Sequence, residues 1–194
     1  MAAYHLLVIY GNGNADAVCE GLVSYTGADW ALACGRWAIR YMDQLSGNFI
    51  MPGIWVVLYA LCCGVSAFLI ARLWGIKNPV HVCLISCLFT VNPTVIEQSL
   101  LQYMFMAWGI SNLLSVLFVY LCCREGAPWR RYVFAPLCMA VAFGLYQASV
   151  SFICAAFCMT LVLSIFNDNT LKSVLHRVLR FVLAALLGTV LYFI

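Results

Sequence analysis

Residues 52–73 read PGIWVVLYALCCGVSAFLIARL, a run whose single charged side chain, Arg72, lies near its end. About 20 mostly apolar residues in a helix are enough to cross the hydrocarbon core of a bilayer. The whole chain shares this character, because 65% of its 194 residues are hydrophobic, 9% are charged and its mean hydropathy is +0.99. The sequence therefore predicts an all-α polytopic membrane protein. It excludes a soluble enzyme, a nucleic-acid-binding module and a disordered chain.

Further apolar segments predict about six spans in residues 52–194. After the first span they cover residues 79–91, 101–123, 132–146, 148–166 and 178–194, with 79–91 and 132–146 expected to be short or tilted. Residues 1–10 are too short to cross a bilayer and are interpreted as the end of an earlier span. Because the chain also stops within an apolar run, we expect one transmembrane domain, 1–194, that is a fragment cut at both ends.

The basic residues predict the orientation of the chain in the membrane. With the spans in alternation, eight of them fall in one set of connections, and only Arg36 and Arg40 fall in the other. The eight are Arg72, Lys77, Arg124, Arg130, Arg131, Lys172, Arg177 and Arg180. Cytoplasmic connections are enriched in lysine and arginine. The set of eight is therefore predicted to be cytoplasmic, and residues 11–51 form a long extracytoplasmic loop.

The eleven cysteines do not indicate a metal site, because nine of them lie in or beside apolar runs. There cysteine packs as a small hydrophobic side chain. Cys19 and Cys34 lie in the polar loop and could form a disulfide in an oxidising compartment.

Loop 11–51 contains the carboxylates that suggest chemistry. Asp16 and Glu20 are spaced i, i+4, so they would share one face of a helix. Two close carboxylates can raise the pKa of one of them or hold a divalent cation, the one cofactor that the sequence leaves open. A solvated helix face without a function is the alternative.

Residues 29–46 predict one amphipathic helix on the outer membrane surface. Its apolar stripe has helical spacing and consists of Trp30, Cys34, Trp37, Tyr41 and Leu45. Arg36 and Arg40 fall on a neighbouring face. These two arginines could reach lipid phosphates in general, or their planar guanidinium groups could bind one particular phosphate.

Few polar residues lie within the predicted spans, where such groups pair across helices or line a cavity. Gln102 and Gln147 map to the outer ends of their spans, at the level of the acidic loop. Polar groups that converge at one side of the membrane indicate an outward-facing site rather than a continuous pore.

Three short motifs occur in order along the chain. They are Asn14-Ala15-Asp16, then Gly35-Arg36-Trp37 after Trp30, and Tyr146-Gln147 at a span end. This arrangement resembles the bacterial glucosyl transferase II family. Its members are polytopic membrane enzymes that add glucose to O-antigen or related surface glycans, and they are similar to the GT-C class of glycosyltransferases.

The resemblance implies a GT-C-like helical bundle in a bacterial plasma membrane, with a polyprenyl-phosphate sugar as donor and a surface glycan as acceptor. It implies that Asp16 is the general base, that Glu20 assists it, and that Arg36, with Arg40, neutralises the leaving phosphate. The remaining candidates, which would contact sugar or lipid, are Trp30, Trp37, Gln102 and Gln147. A transporter or flippase component for lipid-linked sugars is the alternative function, and a non-catalytic scaffold is the third.

Overall fold

The computed structural model describes residues 28–45, 52–91, 104–124, 131–166 and 171–194. Within these ranges the chain forms eight helices and no strand, which confirms the predicted all-α fold. The helices are α1 (Ala28–Ala33), α2 (Trp37–Leu45), α3 (Pro52–Leu73), α4 (Pro79–Val91), α5 (Phe105–Cys123), α6 (Arg131–Leu145), α7 (Ser149–Phe166) and α8 (Leu171–Phe193). The predicted first span, 1–10, lies outside the described residues.

Four of the described helices, α3, α5, α7 and α8, are long and apolar enough to cross a membrane. The shorter α4 and α6 are also apolar. Their bounds agree closely with the predicted segments, except that α8 begins at Leu171, seven residues before the predicted start. The early turns of α8 contain Lys172, Arg177 and Arg180, which lower the local hydropathy without interrupting the helix.

Helix α5 occupies the centre of the bundle, where it packs against α3, α6, α7 and α8. Small residues allow close approach: a Cβ on Gly109 of α5 would lie 3.1 Å from the Tyr59 Cα of α3. A hydrogen bond also joins two of these helices, since the Ser111 hydroxyl of α5 donates to the Ala142 carbonyl of α6 at 3.0 Å. Close packing and interhelical hydrogen bonds are the interactions that associate helices in a bilayer.

The segment predicted as one helix, 29–46, is instead two helices, α1 and α2, separated by the turn Cys34-Gly35-Arg36. Gly35 has a φ of +77°, which ends α1. The prediction of one continuous helix is therefore wrong. In α2, Ala38 and Ile39 are buried against the bundle, whereas Tyr41 and Leu45 of the predicted apolar stripe are exposed. The spacing alone could not reveal this break, because a continuous helix fits the same pattern.

Candidate functional site

The turn between α1 and α2 is a Schellman motif, which uses a glycine in the left-handed conformation to satisfy the last carbonyls of a helix. The Gly35 amide donates to the Leu32 carbonyl at 2.8 Å, and the Arg36 amide donates to the Ala31 carbonyl at 2.7 Å. The carbonyl of Arg36 then accepts from the Ile39 amide at 3.2 Å, in the first turn of α2. This sharp reversal directs the Arg36 side chain towards the bundle.

Two side chains that are distant in sequence bind this turn. The Gln147 amide nitrogen donates to the Cys34 carbonyl, and also to the Tyr192 hydroxyl at 3.0 Å. The Tyr192 hydroxyl donates to the Gly35 carbonyl at 2.9 Å. The turn between α1 and α2 is therefore attached to the α6–α7 connection and to the last turn of α8.

Arg36 is half-buried at this end of the bundle. Its guanidinium carbon lies 5.3 Å from the centroid of the Tyr146 ring, a cation–π geometry. One guanidinium nitrogen is 3.7 Å from the sulfur of Met104, just before α5. The Tyr146 ring in turn packs edge-on against Trp108, with 5.7 Å between ring centroids. Arg36 is thus a fixed positive charge among aromatic and sulfur-containing side chains.

Trp37 follows Arg36 directly and packs against α6. A Cβ on Gly144 would lie 2.6 Å from Cε2 of the Trp37 ring, so the absence of a side chain there makes room for the indole. Trp37 also meets Tyr41 edge-on, with 6.4 Å between ring centroids. The indole is therefore half-buried against the bundle and does not lie free on the surface.

A family model for the glucosyl transferase GtrII matches residues 20–194, which is most of the chain. The chain belongs to the GtrII family. This confirms the resemblance inferred from the three motifs. No curated protein and no solved structure matches the chain.

In this GtrII chain, the turn that contains Gly35 and Arg36 lies against the Tyr146-Gln147 pair. Arg36 lies on Tyr146, and Gln147 bonds to the carbonyl that precedes Gly35. The other predicted arginine, Arg40, is exposed on α2. Asp16, Glu20, Gln102 and the side chain of Trp30 lie outside the described residues, so their roles stay predictions.

Sequence reasoning missed Tyr192 and Gly144 in this GtrII chain. Tyr192 lies in the final apolar run, where its hydroxyl gives no pattern to detect, and Gly144 is one small residue among many in α6. Two buried polar atoms at the same end, Trp108 Nε1 and Ser149 Oγ, have no hydrogen-bond partner within the described part of the chain. Among the residues that the structure describes, no group of three or more His, Cys, Asp or Glu side chains could hold a metal ion.

Proposed function

We propose that this GtrII chain transfers glucose from a polyprenyl-phosphate donor to a cell-surface glycan, on the extracytoplasmic face of a bacterial plasma membrane. The observation that carries the proposal is the position of Arg36, a half-buried guanidinium fixed where the polar loop meets the helix ends. A polyprenyl-phosphate sugar has its lipid chain in the bilayer and its negatively charged phosphate at the level of the helix ends. A guanidinium held at the same level can bind this phosphate through charge-assisted hydrogen bonds.

The reaction is a single displacement at the anomeric carbon. A hydroxyl oxygen of the acceptor attacks this carbon, the bond from the carbon to the phosphate oxygen breaks, and the polyprenyl phosphate leaves with the electron pair. The Asp16 carboxylate takes the proton of the attacking hydroxyl as general base. One displacement inverts the anomeric configuration. Glu20 orients the acceptor or helps to hold a divalent cation.

Arg36 stabilises the negative charge that develops on the leaving phosphate. A guanidinium already held by Tyr146 and by the Gly35 turn needs little reorganisation during the reaction. Its planar fork can donate two hydrogen bonds to two phosphate oxygens, which an ammonium group cannot match. Arg40, exposed one helical turn further on α2, adds positive charge at the entrance to the site.

Aromatic and polar groups beside Arg36 supply the sugar contacts. Trp37 offers an indole face for stacking, as do aromatic side chains in many sugar sites. Gln147 also holds the Gly35 turn in position, because its amide nitrogen donates to the Cys34 carbonyl and to the Tyr192 hydroxyl. In the proposed complex it positions this turn and also contacts the sugar. Trp108 and Ser149 provide further buried polar groups at this end.

Transferase activity accounts for the polar groups better than transport does. A transporter places polar or charged residues at the middle of the membrane, often in broken helices. Here the hydroxyls of Ser111 and Ser115 within α5 bind helix backbone. Ser111 donates to the Ala142 carbonyl, and Ser115 donates to the Ser111 carbonyl at 2.7 Å. The polar loop with Arg36 lies at one end instead.

The test measures glucose transfer from radiolabelled polyprenyl-phosphate glucose in membranes that contain the full-length protein. Asp16→Asn removes the base and is expected to lower transfer by about 10²–10⁴-fold. Arg36→Gln removes the phosphate partner and is expected to lower it by roughly 10²-fold. Lys77→Gln removes an equal charge from the far end of the bundle and should leave transfer unchanged.

Membrane insertion and expression are matched for every variant before rates are compared. Equal transfer by wild type and Asp16→Asn would exclude Asp16 as the base and make Glu20 the next candidate. Normal transfer by Arg36→Gln would exclude the proposed phosphate contact. If the wild type itself transfers no sugar from several donors, the transferase proposal fails and translocation of lipid-linked sugar becomes the function to measure.

A further inference from the structure

A second polar region lies at the other end of the helices from the Gly35 turn. Helix α5 begins beside Arg36 and ends at Cys123, and its 19 residues separate the two regions by about 28 Å. A cavity of about 420 Å³ opens there between the ends of α3, α5 and α7 and the early turns of α8. No residue of the proposed transfer site lines it.

Three arginines from three different helix ends line this cavity. Arg72 lies in the last turn of α3, Arg124 follows α5, and Arg177 lies in the second turn of α8. Arg72 and Arg124 are exposed, whereas Arg177 is half-buried and donates to the Ser164 hydroxyl. Guanidinium groups from separate helices that surround one cavity favour an anionic ligand.

Hydrogen bonds among the lining residues fix the cavity wall. The Trp74 indole nitrogen donates to the Thr160 hydroxyl at 3.1 Å, which joins the end of α3 to α7. The guanidinium of Arg124 donates to the Tyr120 hydroxyl at 2.9 Å and lies 5.4 Å from the centroid of that ring. These contacts hold the Trp74 side of the cavity wall and the Arg124 guanidinium in place before any ligand arrives.

The segments around the cavity also have a net positive charge in the sequence. In the sequence, residues 72–77, 124–131 and 168–180 contain eight basic residues, against two carboxylates, Glu125 and Asp168. An excess of positive charge therefore remains whichever arginines these two carboxylates approach. The cavity also opens where the spanning helices end, which is the depth of lipid headgroups.

We propose that this cavity is an anion site that binds a phosphate group, supplied either by the headgroup of an anionic phospholipid or by a free phosphate. Basic pockets between membrane helices bind phosphate-bearing headgroups through the same combination of charge and hydrogen-bond donors. The three arginines bind the phosphate oxygens, and the site is independent of glucose transfer.

The test uses the purified full-length protein in a neutral detergent. Native mass spectrometry measures the occupancy of added phosphatidylglycerol, with phosphatidylcholine, a zwitterionic lipid of zero net charge, as the comparison. Calorimetry measures binding of inorganic phosphate. The double variant Arg72→Gln with Arg124→Gln is expected to weaken phosphatidylglycerol binding by tenfold or more. The exposed positions of both arginines make the variant compatible with folding, which circular dichroism verifies.

The matched control is Lys77→Gln with Lys172→Gln, which removes the same charge from exposed positions outside the cavity lining. In buffer of physiological ionic strength it should change binding by less than about twofold, because salt screens exposed charges that do not touch the ligand. Displacement of the lipid by inorganic phosphate would show that both occupy this cavity, and the tighter of the two would then identify the source of the phosphate group. Lipid binding that phosphate cannot displace would identify a headgroup site. The proposal would be overturned if the wild type, the arginine double variant and the lysine double variant bound phosphatidylglycerol equally. It would also be overturned if the wild type bound neither phosphatidylglycerol nor inorganic phosphate.

Discussion

At the residue scale, the position of Arg36 depends on Gly35. With its φ of +77°, Gly35 has a conformation that costs other residues about 1–3 kcal/mol. A Cβ there would also overlap the Tyr192 hydroxyl and lie 2.8 Å from the Gln147 amide nitrogen. Backbone and packing therefore both require glycine at this position.

Gly35→Ala is expected to lower the melting temperature in detergent and to reduce glucose transfer by roughly tenfold or more, because displacement of the turn moves Arg36. The matched control is Gly75→Ala. Gly75 ends α3 in the same kind of turn, with a φ of +73°, but a Cβ there would meet nothing within 4 Å. Gly35→Ala should destabilise the protein more than Gly75→Ala. Equal melting temperatures for the two variants would contradict the role assigned to Tyr192 and Gln147.

The same residues show how far the sequence predicts the site. The motifs that contain Arg36, Trp37 and Gln147 could be identified because their residue types and their order are visible in the chain. Their mutual contact could not, because it depends on Tyr192, which lies 157 residues after Gly35. No local pattern connects the two positions.

At the element scale, long apolar runs predict the spans well, because the bilayer imposes their length. The predicted helix bounds are wrong where polar residues are part of a helix. Helix α8 begins at Leu171 because its basic first turns continue the hydrogen-bonded helix beyond the apolar segment. Residues 29–46 divide into two helices because the contacts of Gly35, rather than helical spacing, decide where α1 ends.

The contact of α2 with α6 gives a second prediction at this scale. A Cβ on Gly144 would come within 2.6 Å of the Trp37 ring, so Gly144→Ala should push the indole away and destabilise the protein by about 1–3 kcal/mol. Gly64→Ala in α3 is the control, because a Cβ there meets nothing within 4 Å. It should be neutral or stabilising by up to ~1 kcal/mol. Thermal unfolding in detergent compares them, and equal melting temperatures would show that α2 does not depend on this contact.

At the scale of the whole molecule, the two polar regions lie at opposite ends of the same helices, so a membrane around the bundle separates them. The Gly35 turn contacts Tyr192 at the end of α8, and the arginine cavity is lined by the other end of that helix. The proposed glucose transfer outside the cell and a basic surface inside it therefore require one particular orientation, which the positive-inside rule predicts.

Reporter fusions measure that orientation. Alkaline phosphatase is active only outside the cytoplasm, and green fluorescent protein exported in unfolded form fluoresces only inside it. We expect phosphatase activity from a fusion after Ile194, two residues beyond Tyr192, and fluorescence from a fusion after Lys77, beside the arginine cavity. The two reporters exchanged between these positions provide the control and should both be silent. The reverse pattern would place Arg36 at the cytoplasmic surface, and the donor would then have to be used on that side of the membrane.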